Sequence, residues 1–302
     1  MDYIPPYISL YENGTLEELQ HKLWETMQSC TLCAQQCGVD RTAGELGKCN
    51  SGVYPQVASY SPHFGEEAPL VGRRGSGTIF FSNCNLACVY CQNYDISHLG
   101  YGSDVSCEQL ARMMLLLQER GCHNINFVTP SHMQYAIVKA LSTAVAGGLA
   151  IPLVYNTGGY DNVDTLRMLE GVFDIYMPDM KYMDADTARE LSDAPDYPRR
   201  ATAAIREMHN QVGDLEIGEE GIARRGLLVR HLVLPNNLSQ SKQVIDFIAS
   251  LSKETYLNIM DQYRPMYRAD EYSGLRGRII RSHLRELVAY ARKSGLRRID
   301  GY

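Results

Sequence analysis

The sequence lacks an apolar run long enough to cross a membrane. Its most apolar stretch, 136–155, is broken by Lys139, Gly147, Gly148 and Pro152, so it reads as a helix, a turn and a strand. A basic excess is also missing. Lys and Arg number 29 against 35 Asp and Glu, a formal net charge of −6, which argues against a dedicated nucleic-acid binder. The opening residues, MDYIPPYISL, carry an acid and two prolines where a secretory leader needs a basic start and an apolar core. There is no internal repeat and no low-complexity segment. The 302 residues, 45% hydrophobic and 21% charged, suffice for one large α/β barrel or two smaller domains. Together these absences predict a cytoplasmic protein with no membrane and no nucleic-acid partner.

An even cysteine count is lacking too. Nine cysteines in such a chain argue against a disulfide framework and for metal binding or thiol chemistry. They are unevenly spread. Cys30, Cys33, Cys37 and Cys49 form one group and Cys84, Cys88 and Cys91 a second, while Cys107 and Cys122 stand alone.

Along the chain, a helix is predicted over 16–28, with Thr15 and Glu18 as a capping box and Leu16, Leu19, Leu23 and Met27 on one apolar face. Candidate strands are 78–82, 124–128, 152–155, 172–177, 228–234 and 255–259. Candidate helices follow 106, where Ser106 and Gln109 suggest a cap, and cover 133–146, 163–169, 187–191, 201–209, 240–251 and 280–292. A hairpin through Glu219, Glu220 and Gly221 is a weaker expectation. Strands alternating with helices imply βαβ units and a parallel sheet. The fold expected is α/β, a partial (β/α)6 TIM-like barrel over 75–302, with an N-terminal helix and Cys-rich extension over 1–74. Chemistry should gather at the C-terminal strand ends.

The segment TIFFSNCNLACVYCQNYDIS puts Cys84, Cys88 and Cys91 in the loop after the first barrel strand, spaced C-x3-C-x2-C. Three thiolates so close can wrap a 4Fe-4S cluster and leave its fourth iron open to a small molecule. The alternatives are a zinc knuckle, with His98 as fourth ligand, or buried structural thiols. Strand placement and the aromatic Tyr90 before the last cysteine favour the cluster.

At these residues the chain resembles the radical S-adenosylmethionine (SAM) superfamily. The resemblance implies that Cys84, Cys88 and Cys91 bind three irons of a 4Fe-4S cluster, and that SAM chelates the fourth. One electron would then cleave SAM to a 5′-deoxyadenosyl radical that abstracts hydrogen from a substrate. CVYCQN, VYNTGGYD and DIYMPDMKYMD are similar to segments of glycyl-radical-enzyme activases. CTLCAQQCGVDRTAGELGKC, GEEAPLVGRRGSGTIFF and LVRHLVLPNN resemble a branch described as similar to pyruvate formate-lyase activating enzyme. The resemblance implies an activating-enzyme-like oxidoreductase, a glycyl radical enzyme as protein substrate and a flavodoxin- or ferredoxin-like electron donor.

The Gly-Gly-Glu stretch that many family members carry after strand two is absent; Thr129, Pro130, Ser131 and His132 stand there. Thr129 and His132 are candidate SAM contacts, although Ser131 as a helix cap with an exposed His132 is equally open. Asn156, Thr157, Gly158 and Gly159 end the next strand, where glycines permit close approach to a ligand or simply make a turn. Asp179 and Lys181 end the strand after that, as an ion pair or as cofactor contacts. His63, Glu66 and Glu67 precede the first strand. Two adjacent carboxylates on an extended segment would point opposite ways and not act as one pair. Met260, Gln262 and Tyr263 are further candidates for the cavity wall. The basic segment 276–298, with Ile280, Leu284, Leu287 and Val288 on one face, reads as a solvated helix in preference to a docking face for an acidic protein or an electron donor.

Cys30, Cys33, Cys37 and Cys49, spaced C-x2-C-x3-C-x11-C among Gly38, Gly44 and Gly47, suit one closed metal site. Zinc and a second iron-sulfur cluster take the same four ligands. The rival to an enzyme is a non-catalytic iron-sulfur or zinc-binding protein, or an electron carrier on a barrel scaffold.

Overall fold

Short apolar segments separated by amphipathic helices become strands of one sheet in a computed structural model, which describes residues 3–300. The strands are β1 (Gln56–His63), β2 (Ser76–Phe81), β3 (Ser103–Asp104), β4 (Ile125–Val128) and β5 (Leu153–Thr157). They continue as β6 (Ile175–Pro178), β7 (Glu216–Ile217), β8 (Ala223–Leu232), β9 (Tyr256–Met260) and β10 (Ile299–Asp300). Their spatial order is β10-β9-β8-β6-β5-β4-β2-β1-β3, with β7 paired to β8. The run from β2 to β10 is parallel throughout, so the fold is α/β with a mostly parallel central sheet. β5 and β6 are buried along their whole length, as expected of strands covered on both faces.

The helices are α1 (Pro6–Glu12), α2 (Thr15–Gln28), α3 (Ala68–Val71), α4 (Tyr94–Ser97), α5 (Cys107–Glu119) and α6 (Gln134–Ala146). After them come α7 (Val163–Met168), α8 (Ala185–Ser192), α9 (Tyr197–Val212), α10 (Ser241–Leu251) and α11 (Arg281–Lys293). Helix α5 starts at the expected box: Ser106 accepts from the Gln109 N–H while the Gln109 side chain accepts from the Ser106 N–H. Helix α2 buries the four expected residues and joins α6 through Gln20 to Ser142 (2.7 Å) and Trp24 against Tyr135.

Several expectations are corrected. Thr15 does not cap α2. Gly14, in the left-handed region, is the cap residue, and the Asn13 carboxamide accepts from the Thr15 N–H and hydroxyl. Ile280 is exposed, so the apolar face of α11 is Leu284, Leu287, Val288 and Ala291. Strand β1, with serines and Pro62 along it, pairs antiparallel with β2 and adds a strand that the apolar pattern missed. The 216–225 hairpin does form.

The largest correction concerns Glu66 and Glu67. They lie in a bend before α3, not in an extended strand, so alternation does not apply. Glu66 reaches Arg230 of β8 (3.6 Å), and Glu67 accepts from Asn258 of β9 (3.0 Å). A dipeptide from the β1–β2 connection can meet β8 and β9 only if the open sheet curls, as in an incomplete barrel.

Candidate active site at the C-terminal strand ends

The loop leaving β2 turns at Asn83, whose φ of 68° suits an asparagine better than a β-branched residue. Asn83 N–H donates to Ile96 O (2.8 Å), and His98 Nε2 lies 3.0 Å from Cys88 O. His98 therefore serves the backbone and stacks on Tyr267 (4.4 Å). From the far side, the last carbonyls of α8 receive the loop: Ala87 N–H donates to Ser192 O (3.1 Å) and Val89 N–H to Leu191 O (2.9 Å). Those carbonyls have no partner within their helix, and the loop satisfies them.

This scaffold turns Cys84, Cys88 and Cys91 toward a cavity of about 260 Å³. Each sulfur has a polar neighbour. Leu86 N–H lies 3.4 Å from Cys84 Sγ, Ser192 Oγ 3.0 Å from Cys88 Sγ, and Ser97 Oγ 3.1 Å from Cys91 Sγ. Burial pushes the Cys84 and Cys88 thiols up; at Cys88 the Lys181 ammonium pulls the other way. Such thiols shed their protons to a metal more readily than to solvent. Among the described residues, no three His, Cys, Asp or Glu side chains are arranged to hold one metal ion. A cluster makes a different demand, since each thiolate binds its own iron.

The opposite wall comes from strand ends: Thr129 after β4, Asn156, Thr157 and Gly158 at β5, Asp179 and Lys181 after β6, and Arg230 and Met260 of β8 and β9. Asp179 binds Lys181 Nζ (2.7 Å) and Arg230 Nε (2.9 Å), and Arg230 also donates to Asn156 Oδ1 (2.8 Å). Burial pushes the Asp179 carboxyl up, but the two cations outweigh it and hold it ionised below its ordinary value. Burial also pushes Glu66 up, against the pull of Arg230, with Glu67 adding to the rise. A larger hollow, about 380 Å³, lies beside Leu46, Tyr54, Asn83 and Leu99. It holds no thiol and a single carboxylate, Asp104, so the chemistry favours the smaller cavity.

The remaining candidates stand behind this wall. His132 is buried, correcting the exposed alternative. Its Nε2 lies 2.9 Å from Ser82 O, its own carbonyl accepts from Arg41 Nη1 (2.8 Å), and burial lowers it to about 4. Ser131 Oγ meets the Thr157 hydroxyl (3.0 Å) instead of capping a helix, and Thr157 in turn donates to buried Asp161 (2.6 Å). Gly159 packs against Asp179 O, outside the cavity lining. Tyr90 lines the cavity and hydrogen-bonds through its hydroxyl to Tyr182. Tyr263 is buried, its hydroxyl donating to Leu275 O (2.6 Å), with its ring against Tyr90.

Of the first cysteine group, Cys30, Cys33 and Cys49 are buried and Cys37 is exposed. Burial pushes Cys33 up to about 12. Cys37 Sγ lies where a side chain on Gly47 would stand. The segment abuts the second group, because Gln35 donates to Asn85 O (2.8 Å) and Asn85 donates to Tyr160 O (2.7 Å). Sequence reasoning missed Arg230, Ser97, Ser192 and Tyr182. For Arg230 a signal existed, a charge inside the apolar run LLVRHLVL; the other three gave none.

Two comparisons bear on this arrangement. Residues 78–215 match the model of the radical SAM superfamily. An uncharacterised protein of Methanocaldococcus jannaschii is 30% identical over 282 residues, covering 89% of this chain and 76% of that protein.

Proposed function

We propose that this chain, which belongs to the radical SAM superfamily, is an enzyme that abstracts hydrogen from a protein or peptide substrate, with activation of a glycyl radical enzyme as the specific reading. The observation that carries the chemistry is three thiols opening on one cavity at the strand ends, each with a polar neighbour at its sulfur. This donor set fits a 4Fe-4S cluster with one iron left for a small molecule. When bound, the cluster and SAM supply one-electron cleavage of SAM and a hydrogen-abstracting radical.

The chain's residues divide the remaining work. Cys84, Cys88 and Cys91 hold the irons. Lys181 and Arg230 supply positive charge opposite the thiols, suited to the SAM carboxylate, while Asp179 keeps both in place. Thr129, Asn156, Thr157 and the Gly158 backbone shape the SAM pocket, with Tyr90 beside the thiols. Gly159 and His132 act through the backbone: Gly159 brings the strand end against Asp179, and His132 braces the loop at Ser82. A carrier of electrons has no use for a cavity of about 260 Å³ walled by strand ends beside its metal, which weighs against the non-catalytic reading.

Residues 75–302 form the radical domain in this reading. Residues 1–74 add a second metal centre on Cys30, Cys33, Cys37 and Cys49; because no three such side chains among the described residues are grouped around one ion, an iron-sulfur cluster suits these thiols better than a single zinc. A flavodoxin- or ferredoxin-like protein delivers the electron. The test is SAM cleavage by anaerobically reconstituted protein with dithionite. Wild type should release 5′-deoxyadenosine, and Cys88→Ala should lose both the SAM-responsive cluster spectrum and the product. Undiminished product in Cys88→Ala would reject the assignment.

A further inference from the structure

We infer that the Ser192 hydroxyl, aimed by Tyr182 and Tyr90, donates a hydrogen bond to the Cys88 sulfur and raises the reduction potential of the cluster held there. This rests on the reading of Cys84, Cys88 and Cys91 as cluster ligands.

The geometry is a chain of three hydroxyls ending on a sulfur. Tyr90 OH meets Tyr182 OH, Tyr182 OH lies 2.9 Å from Ser192 Oγ, and Ser192 Oγ lies 3.0 Å from Cys88 Sγ. All four residues are buried, Tyr182 and Ser192 completely, so water does not compete for these bonds. Proton counting then fixes their direction. A metal-bound thiolate has no proton, so Ser192 must donate to it. Ser192 Oγ has only lone pairs left for Tyr182, which must donate, and the Tyr182 oxygen accepts from Tyr90. The result is a one-way relay from Tyr90 to the sulfur, in which each bond polarises the next.

The parts are held rigidly. Tyr182 is wedged between the rings of Tyr90 (86° between planes) and Tyr197 (74°). Ser192 ends α8, whose N-terminus is capped by Asp184 accepting from Thr187 N–H (2.7 Å). The Ser192 and Leu191 carbonyls bind the cysteine loop independently of the hydroxyl. Ser192→Ala therefore keeps both main-chain contacts and removes the donor alone. The polar neighbours of Cys84 and Cys91 arise within the loop and the short helix after it, whereas Ser192 comes from 104 residues away.

Reduction adds one electron to the cluster, taken from a one-electron reductant that is oxidised in turn, and no bond forms or breaks. The added negative charge spreads onto the sulfurs, so a donor there favours the reduced state. Losing it should shift the reduction equilibrium about tenfold toward the oxidised form, equal to about 59 mV for one electron.

The experiment is an anaerobic redox titration followed by electron paramagnetic resonance, with iron and sulfide counted in wild type, Ser192→Ala and Tyr182→Phe. The expected result is wild-type iron and sulfide in both variants. The midpoint should fall by about 59 mV in Ser192→Ala and by less in Tyr182→Phe, where Ser192 still donates but is no longer polarised. Unchanged midpoints with intact clusters would overturn the inference, as would loss of the cluster from either variant, which would make the relay structural. If Ser192→Ala does not fold, a Tyr182→Phe midpoint equal to wild type is enough to reject the relay. Absence of a cluster from wild type itself is a different outcome and defeats the ligand assignment.

Discussion

Gly159 has a φ of 81°, and a Cβ built on it would stand 2.3 Å from the carbonyl oxygen of Asp179. Both facts forbid a side chain. The left-handed conformation costs an L-residue roughly 1–2 kcal/mol, and a backbone clash cannot be relieved by a rotamer change. We expect Gly159→Ala to lose about 3 kcal/mol of stability in denaturant titrations of the apoprotein. An unchanged midpoint would mean that the strand end tolerates a side chain. The sequence marked this glycine as a place of close approach, but not what approaches; the neighbour is this protein's own backbone. Single residues were legible where close spacing on one loop brings them together, as for Cys84, Cys88 and Cys91, which open on one cavity. Arg230, Glu66 and Ser192 act through partners 51, 164 and 104 residues away, and no local pattern reports such distances.

At the scale of elements, the apolar pattern located the six principal strands and most helices, because central parallel strands and amphipathic helices bury contiguous or periodic side chains. It failed where that signal is weak. Helix α9 begins at Tyr197, four residues before the expected start, because Pro198 occupies a first-turn position where no N–H is needed. Strand β10 is two residues long, too short for any period. Helix α5 offers a test of the local rules away from the cavity. Its capping box satisfies two backbone donors reciprocally, so Ser106→Ala should cost about 1 kcal/mol in thermal or chemical unfolding. SAM cleavage should stay at wild-type rate, since none of the cavity wall belongs to α5. A stability loss below measurement would show that packing of Leu110, Met114 and Leu117 alone holds the helix start.

For the molecule as a whole, the two cysteine groups are mechanically joined. Residues 30–52 contain one 3-10 turn, Arg41–Ala43, yet bury three cysteines and the Arg41 guanidinium, which donates to His132 O and Gly52 O. Little periodic apolar surface accounts for that order, and a metal cross-link would supply it. Cys33 lies against Asn85, the residue after Cys84, and Gln35 holds the Asn85 carbonyl. By spacing the two groups read as separate motifs; their meeting through Asn85 depends on how the sheet curls and was not legible. If the first group binds metal on its own, removing the second group should leave that metal behind. The variant carrying Cys84→Ala, Cys88→Ala and Cys91→Ala, purified anaerobically, should therefore retain metal by elemental and sulfide analysis. Zinc without sulfide would identify a mononuclear site, and four irons with matching sulfide a second cluster. Chelation of either should speed amide exchange over residues 30–52 first and, through Asn85, over the Cys84 loop next. A metal-free variant with wild-type exchange in that segment would reject the second centre, leaving buried thiols and Arg41 as the whole of its support.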